Sequence, residues 1–229
     1  MIYHTTNPQK SQCITYINKP QFYQKHYDVS VDSAAMLCYN GCEQKSEFRE
    51  VYEVYMENAT REKLAMVAKE TAQIPFHGDA DGKASNLAPV VRLFPTWNLR
   101  DADGLWCAAF VYYCCTAAGF GIPYRPAECK TCHLAGCLGW EEFALGDPRI
   151  EYRKGTEGFA PDAGDIVLYD RVFENKEHDH IGIVLENRGC TILAAEGNVK
   201  NRSGIIERPI DEHIRAYIRI PDGYQYGNG

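Results

Sequence analysis

"HIGIVLENRGCTILAAEG", residues 180–197, decides the fold. Two aliphatic, β-branched runs flank Asn187-Arg188-Gly189, and a three-residue loop with Gly third is a common hairpin closure, a type I turn followed by a left-handed residue. That loop pairs Glu186 with Cys190, Gly182 with Ala194 and His180 with Glu196. Directly opposed side chains share a face, with Cβ atoms about 5 Å apart. The register therefore predicts a carboxylate that holds an imidazole in one tautomer and leaves its other nitrogen free. Beside it lies a Gly–Ala pair small enough to let another element come close.

Outward from this hairpin the same period of two continues. "DIVLYD" (165–170) precedes it, and "GIIERPI" (204–210) and "AYIRI" (216–220) follow, separated by short turns. Upstream the period is helical. Phe48, Val51, Tyr52, Tyr55, Met56 and Ala59 recur at helical spacing behind Ser46. Leu64, Val67, Ala68 and Thr71 continue an offset stripe that Asn58 or Thr60 can cap, as a second helix or the far side of a bend. Residues 74–104 carry Gly, Pro and Asp punctuation and read as a loop-rich connector. Leu105–Ala118 is apolar on nearly every side and closed by Gly119, a buried helix. Residues 120–163 read as irregular, with a short helix around Trp140–Ala144. Helices first and an antiparallel β-meander after them predict an α+β fold. Residues 1–45, with one helix near Ser33–Tyr39, read as an N-terminal extension ahead of a domain over 46–229.

Composition narrows the function classes. The chain has 229 residues, 45% of them hydrophobic, and a net charge of −7. It has no Lys/Arg block, so nucleic acid is not the expected partner. No segment is long and apolar enough to span a bilayer, and the N-terminus as given, "MIYHTTNPQK", does not read as a signal peptide. With no leader, ten cysteines are expected as reduced thiols, metal ligands or nucleophiles rather than disulfides.

Three of the ten stand in "DGLWCAAFVYYCC" (103–115). Asp101 and Asp103 are candidate N-caps, which puts Cys107 in the first turn of the helix. There the unpaired N–H groups and the helix dipole favour a thiolate. Cys114 and Cys115 lie about 10 Å further along the axis, where burial disfavours charge. Cys107 is thus the candidate nucleophile, with His180 as base and Glu196 as its orienting acid. His178 falls in the charged loop "ENKEHD" and is expected in solvent.

"LWCAAFVYYC", "APDAGDIVLYD", "DHIGIVLEN" and "AAEGN", in this order, resemble the CHAP family, the cysteine, histidine-dependent amidohydrolases/peptidases. The resemblance is to the branch with a Trp-Cys-Ala-x-Phe-Val motif, among the NlpC/P60-like hydrolases. It runs from about Thr60 to Ile220. It implies a papain-like fold and cleavage of amide bonds in peptidoglycan, as an N-acetylmuramoyl-L-alanine amidase or a peptide endopeptidase, with no cofactor. It assigns Cys107 as nucleophile, His180 as base, Glu196 as acid and Asn198 as a supporting polar group. The implied partner is peptidoglycan or its peptide fragments, met by a monomer at the bacterial cell wall as a phage lysin or an exported enzyme. NlpC/P60 endopeptidases usually carry a second His where this chain has Glu196, which makes them the nearer alternative. A silent binding module for wall peptides is the other. The insertion "DRVFENKEHD" and the segment 129–137 depart from the family pattern.

"CKTCHLAGC" offers Cys129, Cys132, His133 and Cys137 as zinc candidates, with Cys38 and Cys42 as a remote pair. Structural zinc usually takes two such pairs from separate segments, so free thiols are preferred here. The two Asp-Ala-Asp-Gly stretches (79–82 and 101–104) lack the twelfth-position Glu of an EF-hand loop and are assigned turn and cap duty. Trp106 is expected in the core, and Trp140 there or lining a groove.

Overall fold

A computed structural model describes residues 59–74, 76–79 and 84–227. The N-terminal extension, its helix near Ser33–Tyr39 and the helix expected from Ser46 fall outside the described residues. The first described helix, α1 (Arg61–Gln73), starts at Thr60, whose hydroxyl accepts the Lys63 N–H at 3.1 Å. Within the connector two short helices appear, α2 (Ala88–Val91) and α3 (Leu99–Ala102). The apolar run forms α4 (Cys107–Ala117). It ends in a Schellman closure: Gly119, at φ +96°, donates to Thr116 C=O, and Phe120 donates to Cys115 C=O. The helix expected near Trp140 is α5 (Cys137–Gly146), longer at both ends.

Six strands follow: β1 (Glu151–Lys154), β2 (Ile166–Tyr169), β3 (His180–Asn187), β4 (Thr191–Val199), β5 (Arg202–Pro209) and β6 (Ile214–Arg219). The pairs are antiparallel, in the order β1-β6-β2-β3-β4-β5. The fold class is α+β. A pure meander is not what forms, because β6 returns to lie beside β2. The edge strand β1, in a stretch read as irregular, is only four residues long with its last two exposed, so it carries little period-two signal.

Alternation along the strands buries both faces. Ile166, Leu168, Ile181, Ile183, Ala195 and Ile218 join the helices in the main core, where α4 packs on β3, β4 and α1. Val167, Tyr169, Val184, Ile192, Ile214 and Tyr217 form a second apolar cluster on the other parity. Trp106 and Trp140 are both fully buried, so neither lines a groove.

The hairpin register differs from the expected one. Asn187 stays in β3 and the loop is Arg188–Cys190. Arg188 N–H donates to Thr191 C=O at 2.8 Å, and Gly189 takes φ +85° with its N–H on the Asn187 side-chain oxygen. Gly182 therefore lies opposite Glu196 and Val184 opposite Ala194, before a bulge near Leu185 moves Glu186 opposite Leu193. The slip at the His180 end is two residues, which changes the rung and preserves the face.

Candidate active site

Cys107 is the first residue of α4, behind Trp106, and no side chain caps this helix. The expected caps do other work. Asp101 lies inside α3, whose cap is Asn98, and Asp103 ends α3 while its carboxylate accepts the Asp79 N–H and the Asn201 amide. The open N-terminus leaves the Ala108 N–H to bond the Cys107 sulfur. Trp106 anchors the turn from below, donating its indole N–H to Asn201 at 2.9 Å.

His180 opens β3 with its ring buried. Its Nε2 lies 2.9 Å from Glu196 Oε2, and the ring is near enough to the Cys107 sulfur for each to shift the other's pKa, with Nδ1 the nitrogen that Glu196 leaves open. The imidazole is stacked near Tyr169, its partner across β2, with Phe173 edge-on at 4.9 Å. Glu196 reaches His180 diagonally, one rung along, rather than straight across. A side chain at Gly182 would block that reach, since a Cβ there falls 2.9 Å from Glu196 Cγ. The residue that admits the helix is Gly197, where a Cβ would sit 2.5 Å from Phe110 Cβ and 2.8 Å from the Trp106 ring. The Gly182–Ala194 pair expected to do this is not a pair.

Burial of a carboxylate demands compensation. Glu196 receives it from Arg208 on β5, whose Nε and Nη2 donate at 3.0 and 2.6 Å. Burial pushes the Glu196 pKa up, but Arg208 and then His180 outweigh it, and Glu196 stays below the usual carboxylate range. For His180, burial opposes charge, while the Cys107 sulfur and Glu196 favour it and raise its pKa to about 9. The Cys107 thiol is brought down to about 5, by a hydrogen bond from Cys137 first, against burial, with His180 and the Ala108 N–H adding to it. Burial drives Cys114 and Cys115 the other way.

Sequence reasoning missed Arg208 and the position of Cys137. Arg208 was readable only through the β4–β5 turn, where Lys200 and Asn201 both take positive φ (+52° and +60°). Lys-Asn is not the Asn-Gly pair that announces such a turn. Cys137 begins α5 with its sulfur 3.8 Å from that of Cys107. Of the other zinc candidates, Cys129 donates to Gly139 C=O and His133 accepts the Ala135 N–H. No three His, Cys, Asp or Glu side chains are arranged to hold a metal ion among the described residues. Asn198, at φ +66°, donates to Gly104 C=O at 2.9 Å and so fastens β4 to the turn before Cys107 rather than to the imidazole. His178 is not in solvent: its Nε2 lies 2.5 Å from Glu141 Oε2.

Among the described residues no helix is long and apolar enough to cross a membrane. A model of the CHAP domain matches residues 100–198, from α3 to the end of β4. No curated protein matches the chain. CHAP domains are generally hydrolases acting on peptidoglycan. The matched segment holds Cys107, His180, Glu196 and Asn198, and over it the chain is similar to the CHAP domain.

Proposed function

We propose that the chain is a cysteine hydrolase that cuts amide bonds of peptidoglycan, as an N-acetylmuramoyl-L-alanine amidase or a peptide endopeptidase, on a papain-like scaffold. One observation carries this reading: a thiol at an uncapped helix start, beside an imidazole that helps to lower its pKa and whose Nε2 is held at 2.9 Å by a buried, Arg-clamped carboxylate. Such a thiolate attacks the scissile carbonyl carbon. The imidazolium donates its proton to the leaving nitrogen, and an acyl-enzyme remains. The neutral imidazole then takes a proton from water as that water attacks the thioester, freeing the acid and restoring Cys107. Glu196 steadies the imidazolium and its orientation throughout. Asn198 supports the site by holding the Gly104 turn. Residues 1–45 stand outside the catalytic domain in this reading.

A carboxylate rather than a second His beside His180 favours the CHAP assignment over an NlpC/P60 endopeptidase. A silent wall-peptide module would have no use for a depressed thiol pKa. Mass analysis of purified peptidoglycan after digestion is the test. Stem peptides released whole from the glycan mark an amidase, and shortened stems still attached mark an endopeptidase. No new products from the wild-type chain, or the same products from Cys107→Ala, would end this reading.

A further inference from the structure

Cys137 takes no bond-making step in the mechanism above, yet it touches the proposed nucleophile and helps to lower its pKa. Each of the two sulfurs is carried by the first residue of a helix, Cys107 on α4 and Cys137 on α5, and they lie 3.8 Å apart. Both residues are nearly buried, with exposures of 9% and 7%, and both thiols are free. A disulfide needs a sulfur separation of about 2.05 Å, an approach that small side-chain rotations at two helix starts can supply. Cys114 and Cys115 lie in the interior of α4 and Cys129 is engaged with Gly139 C=O, which leaves Cys137 as the thiol in contact with Cys107.

The geometry points to Cys107 and Cys137 as a reversible oxidation site for hydroperoxides, in which Cys137 resolves the oxidised nucleophile into an intramolecular disulfide. The Cys107 thiolate attacks one peroxide oxygen: an S–O bond forms, the O–O bond breaks, and the departing oxygen leaves as water after taking a proton. The sulfur has lost two electrons and the peroxide has gained them. Cys137 then attacks that sulfur: the S–S bond forms, the S–O bond breaks, and the hydroxide leaves as a second water with the Cys137 proton. Two thiols and one hydrogen peroxide give one disulfide and two waters. A dithiol reductant reverses the change by exchange. Cys137 thereby protects the nucleophile from irreversible oxidation while switching the site off.

The test uses the full chain, reduced and then exposed to a slight excess of hydrogen peroxide. Free thiols are blocked with iodoacetamide, and tryptic fragments are sequenced without reduction. The expected product joins peptide 101–130 to peptide 131–149 through Cys107 and Cys137. Peptidoglycan hydrolysis should fall by on the order of a hundredfold, because no thiolate remains, and return with dithiothreitol. In Cys137→Ala the link is absent, Cys107 goes on to sulfinic acid, and dithiothreitol restores nothing. Wild-type Cys107 found as sulfinic acid with Cys137 alkylated overturns the inference, as does a link from Cys107 to any other cysteine. This mapping is done on the wild-type chain, so it stands even where the variant fails to fold. The loss of activity rests on the hydrolase reading, and the two separate cleanly. A cross-link in a chain whose reduced form leaves peptidoglycan uncut removes that reading alone, and hydrolysis without a cross-link removes the disulfide alone.

Discussion

Three cysteines of one helix have two fates because of where each side chain stands. Cys107 meets the Cys137 thiol, an imidazole and an unpaired N–H, whereas at Cys114 and Cys115 burial prevails, over a hydrogen bond with Thr71 in the case of Cys114. Cys107→Ala should abolish hydrolysis of purified cell walls. Cys114→Ala and Cys115→Ala should keep wild-type turnover and lose only about 1–2 kcal/mol in denaturant melts. A second prediction follows from charge. With Cys107 near 5 and His180 near 9, the thiolate–imidazolium pair dominates between those values. Below the lower one the sulfur regains its proton, and above the upper one the imidazolium loses its own. Iodoacetamide labelling of Cys107, followed by peptide mapping, should be well advanced at about pH 6, more than two units below a free thiol's midpoint of about 8.5. His180→Ala should move the midpoint upward. A wild-type midpoint near that of a free thiol, or one indifferent to His180, would mean that no such pair exists.

At the scale of elements, the β3–β4 hairpin carries Glu196, the proposed orienting acid. Glu196→Gln removes the charge that compensates both the imidazolium and Arg208, and should lower kcat/KM by on the order of a hundredfold or more. Glu186→Gln, exposed beside Arg188 at the turn, should leave it within about twofold. Equal effects in steady-state assays would show that the acid is misassigned. The sequence revealed this hairpin's faces more readily than its rungs. Period-two alternation tells which side each residue takes, and a two-residue slip leaves sides unchanged, so His180 and Glu196 were legible as partners although their register was not. The turn chemistry was the weak link. Asn187 bonds the Gly189 N–H from the end of the strand rather than from within the loop. Cys137 was illegible for another reason: it meets Cys107 through the packing of two helices 30 residues apart, and no local pattern encodes such a meeting.

Across the whole described domain, one charged cluster joins pieces that are distant in sequence. Glu141 on α5 accepts both Arg215 guanidinium donors, at 2.8 and 3.0 Å, along with the Tyr152 hydroxyl and His178. Arg215 on β6 also reaches Asp170 and Glu177 in the insertion before His180. The segment that departs from the family pattern is thereby tied to α5 and the sheet. Burial pushes the Glu141 carboxyl up, but Arg215, Tyr152 and His178 prevail and bring it down to about 2, from an ordinary 4.5. Its contribution to stability is therefore present above about pH 4.5 and is lost as pH falls toward 2. The melting temperature of the wild-type chain should fall through that window more steeply than that of Glu141→Gln, which starts lower at neutral pH. Parallel curves would show that the cluster does not couple to folding.

The span between Cys107 and its partners bears on time as well as space. Cys107, the proposed nucleophile, leaves the ribosome some 70 residues before His180 and about 100 before Arg208, and long-range closure is the slow part of assembling such a chain. Until β3 and β4 dock on α4 and β5 pairs with β4, Cys107 is an ordinary thiol, mostly protonated at neutral pH. Its acidity is acquired at the end of folding, so on the proposed mechanism a nascent or broken chain carries no armed thiolate into the cell that makes it.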